Sequence, residues 1–178
     1  IHPHMPTGSD TIHFIKHTDK PFDRKATYPR IVTSVRTNKA ESKRVRFTVG
    51  GDRVDYPGDT STPTVDLTTI KIQLNSVLST PDAKFMTADI SDFYLNTPLP
   101  RKEYMRIPVK DIPQCVIDQY NLAPLVHNGH VMTEIRKGMY GLPQAGLLSH
   151  DLLKDRLALD GYMPANHTPG FFSHGTLP

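Results

Sequence analysis

The clearest hydrophobic pattern lies between Arg44 and Val49. Val45, Phe47 and Val49 fall on one side, and Arg44, Arg46 and Thr48 on the other. Period two predicts a half-buried strand with a basic outer face. Gly50-Gly51-Asp52 reads as a turn and Arg53 to Tyr56 as a returning strand, which together would make a hairpin. Thr62-Pro63 reads as the start of a helix, and Leu67, Ile70, Leu74, Val77 and Leu78 follow at helical spacing to about Ser79. Thr80-Pro81-Asp82 ends that helix, and Lys84 to Ile90 predicts a short strand. Its alternation predicts a central strand of an antiparallel sheet, with Met86 and Ala88 packed beneath helices. Further short strands are expected at Tyr104–Pro108 and Val131–Arg136, the second entered through the Asn128-Gly129 turn signal. Ile112–Asn121 predicts a short helix, and Gln144–Leu159 a longer one closed by Gly161. Strands and helices mix without regular βαβ alternation, so the expected class is α+β.

The flanking sequence is leaner. Residues 1–29 are polar apart from Ile12, Phe14 and Ile15, which predicts a loop or loosely attached extended arm. We therefore divide the chain into a basic, loosely structured lead-in, 1–42, and a folded part, 43–178. At 178 residues the chain can enclose a core, although only 37% of it is hydrophobic. Sixteen prolines argue against long uninterrupted helices. One cysteine, Cys115, excludes an internal disulfide and a cysteine zinc cage, and reads as a small core residue. No run of ~18 apolar residues occurs, which excludes a helical membrane span. A start at Ile1 and an end at Pro178 read as cut points.

Net charge is only +3, but it is unevenly spread. Between Arg24 and Arg53, nine lysines and arginines oppose only Glu41 and Asp52. Such a field attracts a polyanion, with binding that weakens in salt; the alternative is a solvated basic surface.

Three constellations carry candidate chemistry. Asp89 closes the expected strand, three residues before Asp92, where a carboxylate can help hold a hard divalent cation. Asp89 or Ser91 can equally cap the turn containing Phe93, Tyr94 and Leu95. Gly138-Met-Tyr-Gly-Leu-Pro-Gln-Ala-Gly146 fixes an unusual backbone path, on which Gln144 could face a ligand or simply precede a helix. His13 with His17, and His127 with His130, have ligand-like spacing without cysteine partners, and read as surface histidines.

Five segments in order then carry a resemblance. They are Thr62-Pro-Thr-Val-Asp-Leu-Thr-Thr-Ile70, Met86-Thr-Ala-Asp-Ile-Ser-Asp-Phe-Tyr-Leu-Asn96, Glu103-Tyr-Met-Arg-Ile-Pro108, Ile135 to Gly146, and Gly161-Tyr-Met-Pro with Phe171-Phe172. The series, covering about residues 43–172, resembles the reverse transcriptase domain of copia-type LTR retrotransposon polyproteins. The resemblance implies a right-hand polymerase fold, here fingers and the first part of an antiparallel palm. It implies that Asp89 is the first catalytic aspartate, with the Ile90 carbonyl beside it at Mg²⁺ or Mn²⁺. Asp92, Phe93, Tyr94 and Gln144 would meet the incoming nucleotide, Tyr94 at the sugar 2′ position. Arg46 would lie near the triphosphate, with Lys43 or Arg44 as substitutes, and Lys43, Arg44 and Arg53 would hold nucleic acid.

The implied activity is RNA-directed DNA synthesis by two-metal nucleotidyl transfer. Its partners would be an RNA template, a DNA primer, deoxynucleotides and the rest of the polyprotein, with integrase upstream and the remaining palm, thumb and RNase H downstream. No membrane partner is implied. The setting would be intracellular, in a cytoplasmic virus-like particle, with nuclear entry of the parent element. The chain departs from the family in its large Phe93, in Thr97 after Leu-Asn, and in lacking the Asp-Asp pair, which would fall just beyond Pro178. Alone, the piece is therefore expected to be inactive. The alternatives are a non-catalytic nucleic-acid-binding remnant of a decayed element and an inactive structural palm piece.

Overall fold

The computed structural model describes residues 9–38 and 42–176. Residues 1–8, 39–41 and 177–178 lie outside that range, and with them Lys39 and Glu41 of the basic stretch, Ile1 and Pro178. The elements, in chain order, are β1 (Ile12–Ile15), β2 (Ala26–Thr27), β3 (Pro29–Val35), β4 (Lys43–Val49), α1 (Leu67–Ser79), β5 (Pro98–Pro108), α2 (Gln114–Gln119), β6 (His130–Lys137), α3 (Ala145–Leu159), β7 (Tyr162–Pro164) and β8 (Phe172–His174). The mixture of helices and strands is α+β. Among the described residues, no helix is long and apolar enough to cross a membrane.

The central sheet has the order β1-β6-β5-β2. β6 pairs antiparallel with β1 and β5, whereas β2 runs parallel to β5. The sheet is thus mixed, not wholly antiparallel as expected. Alternation fixes its faces: Ile12 lies opposite Ile135, Glu103 opposite Ile135, Met105 opposite Thr133 and Ile107 opposite Val131. These side chains form the core face, completed by Val49, Leu99, Met139, Leu142 and Ala145 at the start of α3. Inside it, Thr97 Oγ1 and Ser149 Oγ share a buried 2.9 Å hydrogen bond, so neither hydroxyl is left unpaired. The opposite face carries Tyr104, Arg106, His130, Met132, Glu134 and Arg136. Asn128 and Gly129 both have positive φ, 48° and 73°, as a tight reversal into β6 requires.

Cys115, expected in the core, is exposed, and four further expectations need correction. The lead-in is not loose where it is described. Ile12 and Phe14 pack against the core, and β1 and β2 form the two edges of the main sheet. The basic strand β4 does form a hairpin, but with β3 upstream, from Pro29↔Val49 to Val35↔Lys43. Residues 51–53 form a single 3-10 turn instead of a return. The ribbon stands clear of the core, so Val45 is 67% exposed and only Val49 is buried. The third correction concerns α1, which begins at Leu67, capped by Asp66, whose carboxylate accepts from Thr69 N at 3.0 Å and Thr69 Oγ1 at 2.7 Å. Those hydrogen bonds hold the Asp66 carboxyl below its ordinary pKa.

The fourth correction is the expected strand at 84–90. The segment forms no strand, all of it is exposed, and Met86 is 83% exposed. Alternation makes a strand only where a neighbour supplies ladder partners, and no described strand pairs with this segment.

The ribbon is fixed at its base by backbone contact. Val49 N donates to Tyr140 O at 2.8 Å, and Gly50 N donates to Tyr28 O at 2.9 Å. A Cβ on Gly51 would collide with the Gly141 carbonyl, and one on Gly141, at φ +97°, with that of Val49. Neither obstacle is a side chain that can rotate away.

Gly51→Ala should therefore destabilise the protein by about 3 kcal/mol, read from the urea midpoint. Gly129→Ala is the control: its φ is +73° with open space around it, so only backbone strain, about 1 kcal/mol, should appear. Equal costs would show that the Gly51–Gly141 crossing is not tight.

Glu134 generates a pH dependence. Burial pushes its pKa up, but hydrogen bonds from Arg136 at 2.6 Å and Lys102 at 3.1 Å, with their charges, outweigh that and hold it below the ordinary 4.5. A depressed folded-state pKa contributes stability that is complete above the unfolded value and lost as pH falls through the folded one. Stability should fall with acidification below pH 4.5, and Glu134→Gln should shallow that decline. Both cations are roughly half exposed, so added salt should also shallow it. An acid limb identical in Glu134→Gln would rule the group out.

Candidate nucleic-acid interface

The face of the ribbon carrying Arg44 and Arg46 also holds Arg30, because Arg30 pairs with Thr48, Val32 with Arg46 and Ser34 with Arg44. Beneath β4 lies a cleft of about 470 Å³, walled by residues 44–48 on one side and by Leu95 and Tyr140 on the other. Tyr140 is held there twice. Its carbonyl accepts from Val49 N, and its ring meets Tyr94 edge-on, with centroids 5.0 Å apart. The turn at 91–96 is tied to the same place. Thr97 N donates to Tyr94 O at 2.9 Å, and Gly138 N donates to Thr97 O at 2.7 Å. Three segments far apart in sequence thus converge: the basic strand, the turn after Asp89 and the Gly138–Gly146 stretch. Two arginines on a strand that lines a cleft with an exposed aromatic ring offer charge for a phosphate and a π-face for a base.

The expected site residues divide sharply. Arg44, Arg46 and Tyr94 are at or beside the cleft. Lys43 is exposed at the start of β4. Arg53 is engaged elsewhere: its guanidinium lies 5.0 Å from the Tyr28 ring centroid, and Tyr28 Oη donates to Asp52 at 2.8 Å. That hydrogen bond raises the Tyr28 pKa. Phe93 and Ile90 line a small hollow against Leu152 and Arg156 of α3, away from the cleft. Asp89 and Asp92 are exposed, Asp92 with φ 52°. Among the described residues, no group of three His, Cys, Asp or Glu side chains could hold a metal ion. Asp89 and the Ile90 carbonyl offer Mg²⁺ only part of a donor set.

Gln144 does not face the cleft. It is 1% exposed, and its Nε2 donates to Glu103 Oε1 at 3.2 Å, while its Oε1 has no partner. Glu103 is itself buried and paired with Arg24 at 2.6 Å. The same Arg24 Nη2 donates to the Lys102 carbonyl, and its guanidinium lies 5.6 Å from the Tyr104 ring centroid. Sequence reasoning missed this network and the role of Tyr140. Strand parity was the available signal, since Glu103 shares the inward face with Met105 and Ile107, where a charge needs a partner.

Compared with known protein families, curated proteins and solved structures, the chain matches none.

Arg24→Ala or Glu103→Ala leaves one buried charge alone, and each should cost about 3–5 kcal/mol in urea unfolding. Arg24→Met with Glu103→Leu should cost clearly less than the sum of the two single changes. Additive losses would mean that the pair contributes packing alone.

Proposed function

We propose that this chain is the fingers and first palm portion of a reverse transcriptase domain of the copia-type retrotransposon class, and that its part of the work is to grip nucleic acid. The observation that carries the reading is the cleft lined by residues 44–48, Arg44 and Arg46 among them, together with Leu95 and Tyr140. The ordered motifs support it, because two of them, the turn after Asp89 and the Gly138–Gly146 stretch, meet at that cleft. The ligands in this reading are an RNA template, a DNA primer and a deoxynucleotide. RNA-directed DNA synthesis then depends on carboxylates beyond Asp89 to complete the site for Mg²⁺ or Mn²⁺.

A second reading has its own observation. Asp89 is exposed and stands without two further metal-ligating side chains among the described residues. A non-catalytic nucleic-acid-binding remnant fits that isolation.

Fluorescence anisotropy with a labelled single-stranded oligonucleotide should show weak binding that falls steeply with salt. Replacing Arg44 and Arg46 together should shallow the log–log salt slope by about 1.4, at about 0.7 per lost phosphate contact. The loss should be similar for all sequences. No binding at low salt would sink both readings. Primer extension with Mg²⁺ separates them: extension by a longer chain that includes the downstream residues supports the polymerase, and binding without extension supports the remnant.

A further inference from the structure

Of the two histidine pairs of the sequence, His127 and His130 stay together across a β-bridge, and His13 and His17 part. His13 turns to Asp10, at 2.5 Å, and to Arg136, at 3.1 Å. His17 instead stacks on His127, with centroids 4.3 Å apart and planes 16° from parallel. The stack borders a hollow of about 100 Å³ lined by His17, Arg106, His127, Asn128, His130 and Met132. We propose that this hollow is a phosphate-binding site, separate from the cleft beneath β4 and independent of the polymerase reading.

The lining is cationic without an acid. Arg106 has no hydrogen-bond or ion-pair partner among the described residues, and no carboxylate lines the hollow. Glu134, the next acid along the same face of β6, already accepts from Lys102 and Arg136. An exposed guanidinium beside three imidazoles suits a tetrahedral oxyanion, which takes several N–H donors at once. A metal cation suits it poorly. The three rings form no group able to hold a metal, and Arg106 would repel one.

Tautomers support the same chemistry. His130 Nδ1 donates to the Asn128 carbonyl at 2.7 Å, and His127 Nε2 accepts from Asn128 Nδ2 at 3.2 Å. Each ring therefore keeps one nitrogen free of these hydrogen bonds, and that of His127 is an N–H donor. Met132, 3% exposed, supplies a dry floor.

The position separates this site from the first. His130 opens β6, and Lys137 closes it next to the stretch that carries Tyr140. β6 thus lies between the two sites, roughly 25 Å long at about 3.3 Å per residue.

The test follows the ring C–H signals of the full chain by NMR while inorganic phosphate is added at low ionic strength. Phosphate should shift the His17, His127 and His130 signals saturably in the millimolar range, and sulfate should compete. Arg106→Ala should weaken binding about tenfold. Arg106 is exposed and without a partner, so the variant should fold, and unchanged signals from β5 and β6 amides would verify it.

Two further ligands identify the source of the phosphate. A nucleoside monophosphate acting like inorganic phosphate upholds a monoester site. An oligonucleotide without terminal phosphates producing the same shifts upholds a site for backbone diesters. The proposal is overturned if phosphate leaves the rings unmoved, if Arg106→Ala binds as the parent does, or if Zn²⁺ saturates the rings while phosphate does not.

Discussion

The crossing of two glycine backbones governs the rest of the site. Gly51 passes so close to the Gly141 carbonyl, and Gly141 to that of Val49, that neither position has room for a Cβ. The contact brings the end of β4 against the Gly138–Gly146 stretch, where Val49 N donates to the Tyr140 carbonyl. Thr27 Oγ1 and Tyr28 O engage Gly50 from the other side. The ribbon is therefore fixed at its base and free along its length, with Val35 at 72% and Val45 at 67% exposure. Cleft width is set at that base, because the arginines lie only three to five residues from it.

What the sequence revealed was what local chemistry determines. Alternation at 43–49, the Asn128-Gly129 reversal, the helix ending at Leu159 and the strand before Pro108 depend on neighbours in the chain, and all appear in the structure. Partnership was less legible. Gly50-Gly51 reads as a hairpin turn by composition, yet the glycines serve a tertiary approach, and the turn of the ribbon lies upstream. The polar lead-in resembles a loose arm because an edge strand needs only one apolar side, here Ile12 and Phe14. Residues 84–90 show the converse: their alternation is real, but no ladder partner uses it.

The candidate site was legible to the same degree. The resemblance, not spacing, put Arg44, Arg46 and Tyr94 around one ligand. The helical pattern put Gln144 at the start of α3, but not the direction of its side chain. That direction is set by Glu103, which is set in turn by Arg24 of the lead-in. A buried carboxylate must be satisfied before anything nearby can serve a ligand, so the first claim on Gln144 is internal. Its unpartnered Oε1 is the remaining cost of that arrangement.

The two halves of the candidate site consequently rest on different physics. The cleft rests on the Gly51–Gly141 crossing, the ladder of β3 with β4 and the Tyr94–Tyr140 contact, all tied to the sheet. The Asp89 side follows α1, a 13-residue helix whose Leu67 and Leu78 are 64% and 87% exposed. A helix of that length gains little stability from propensity alone. It rests on its own ladder and the Asp66 cap, and the segment from Phe85 to Ile90 rests on less. Gripping a polyanion needs only charge density on an anchored ladder, which the ribbon has before any ligand arrives. Placing a carboxylate to within a fraction of an ångström needs a packed strand beneath it. In this chain the first requirement is met by the fold as it stands, and the second is met only where residues 84–90 gain a ladder partner.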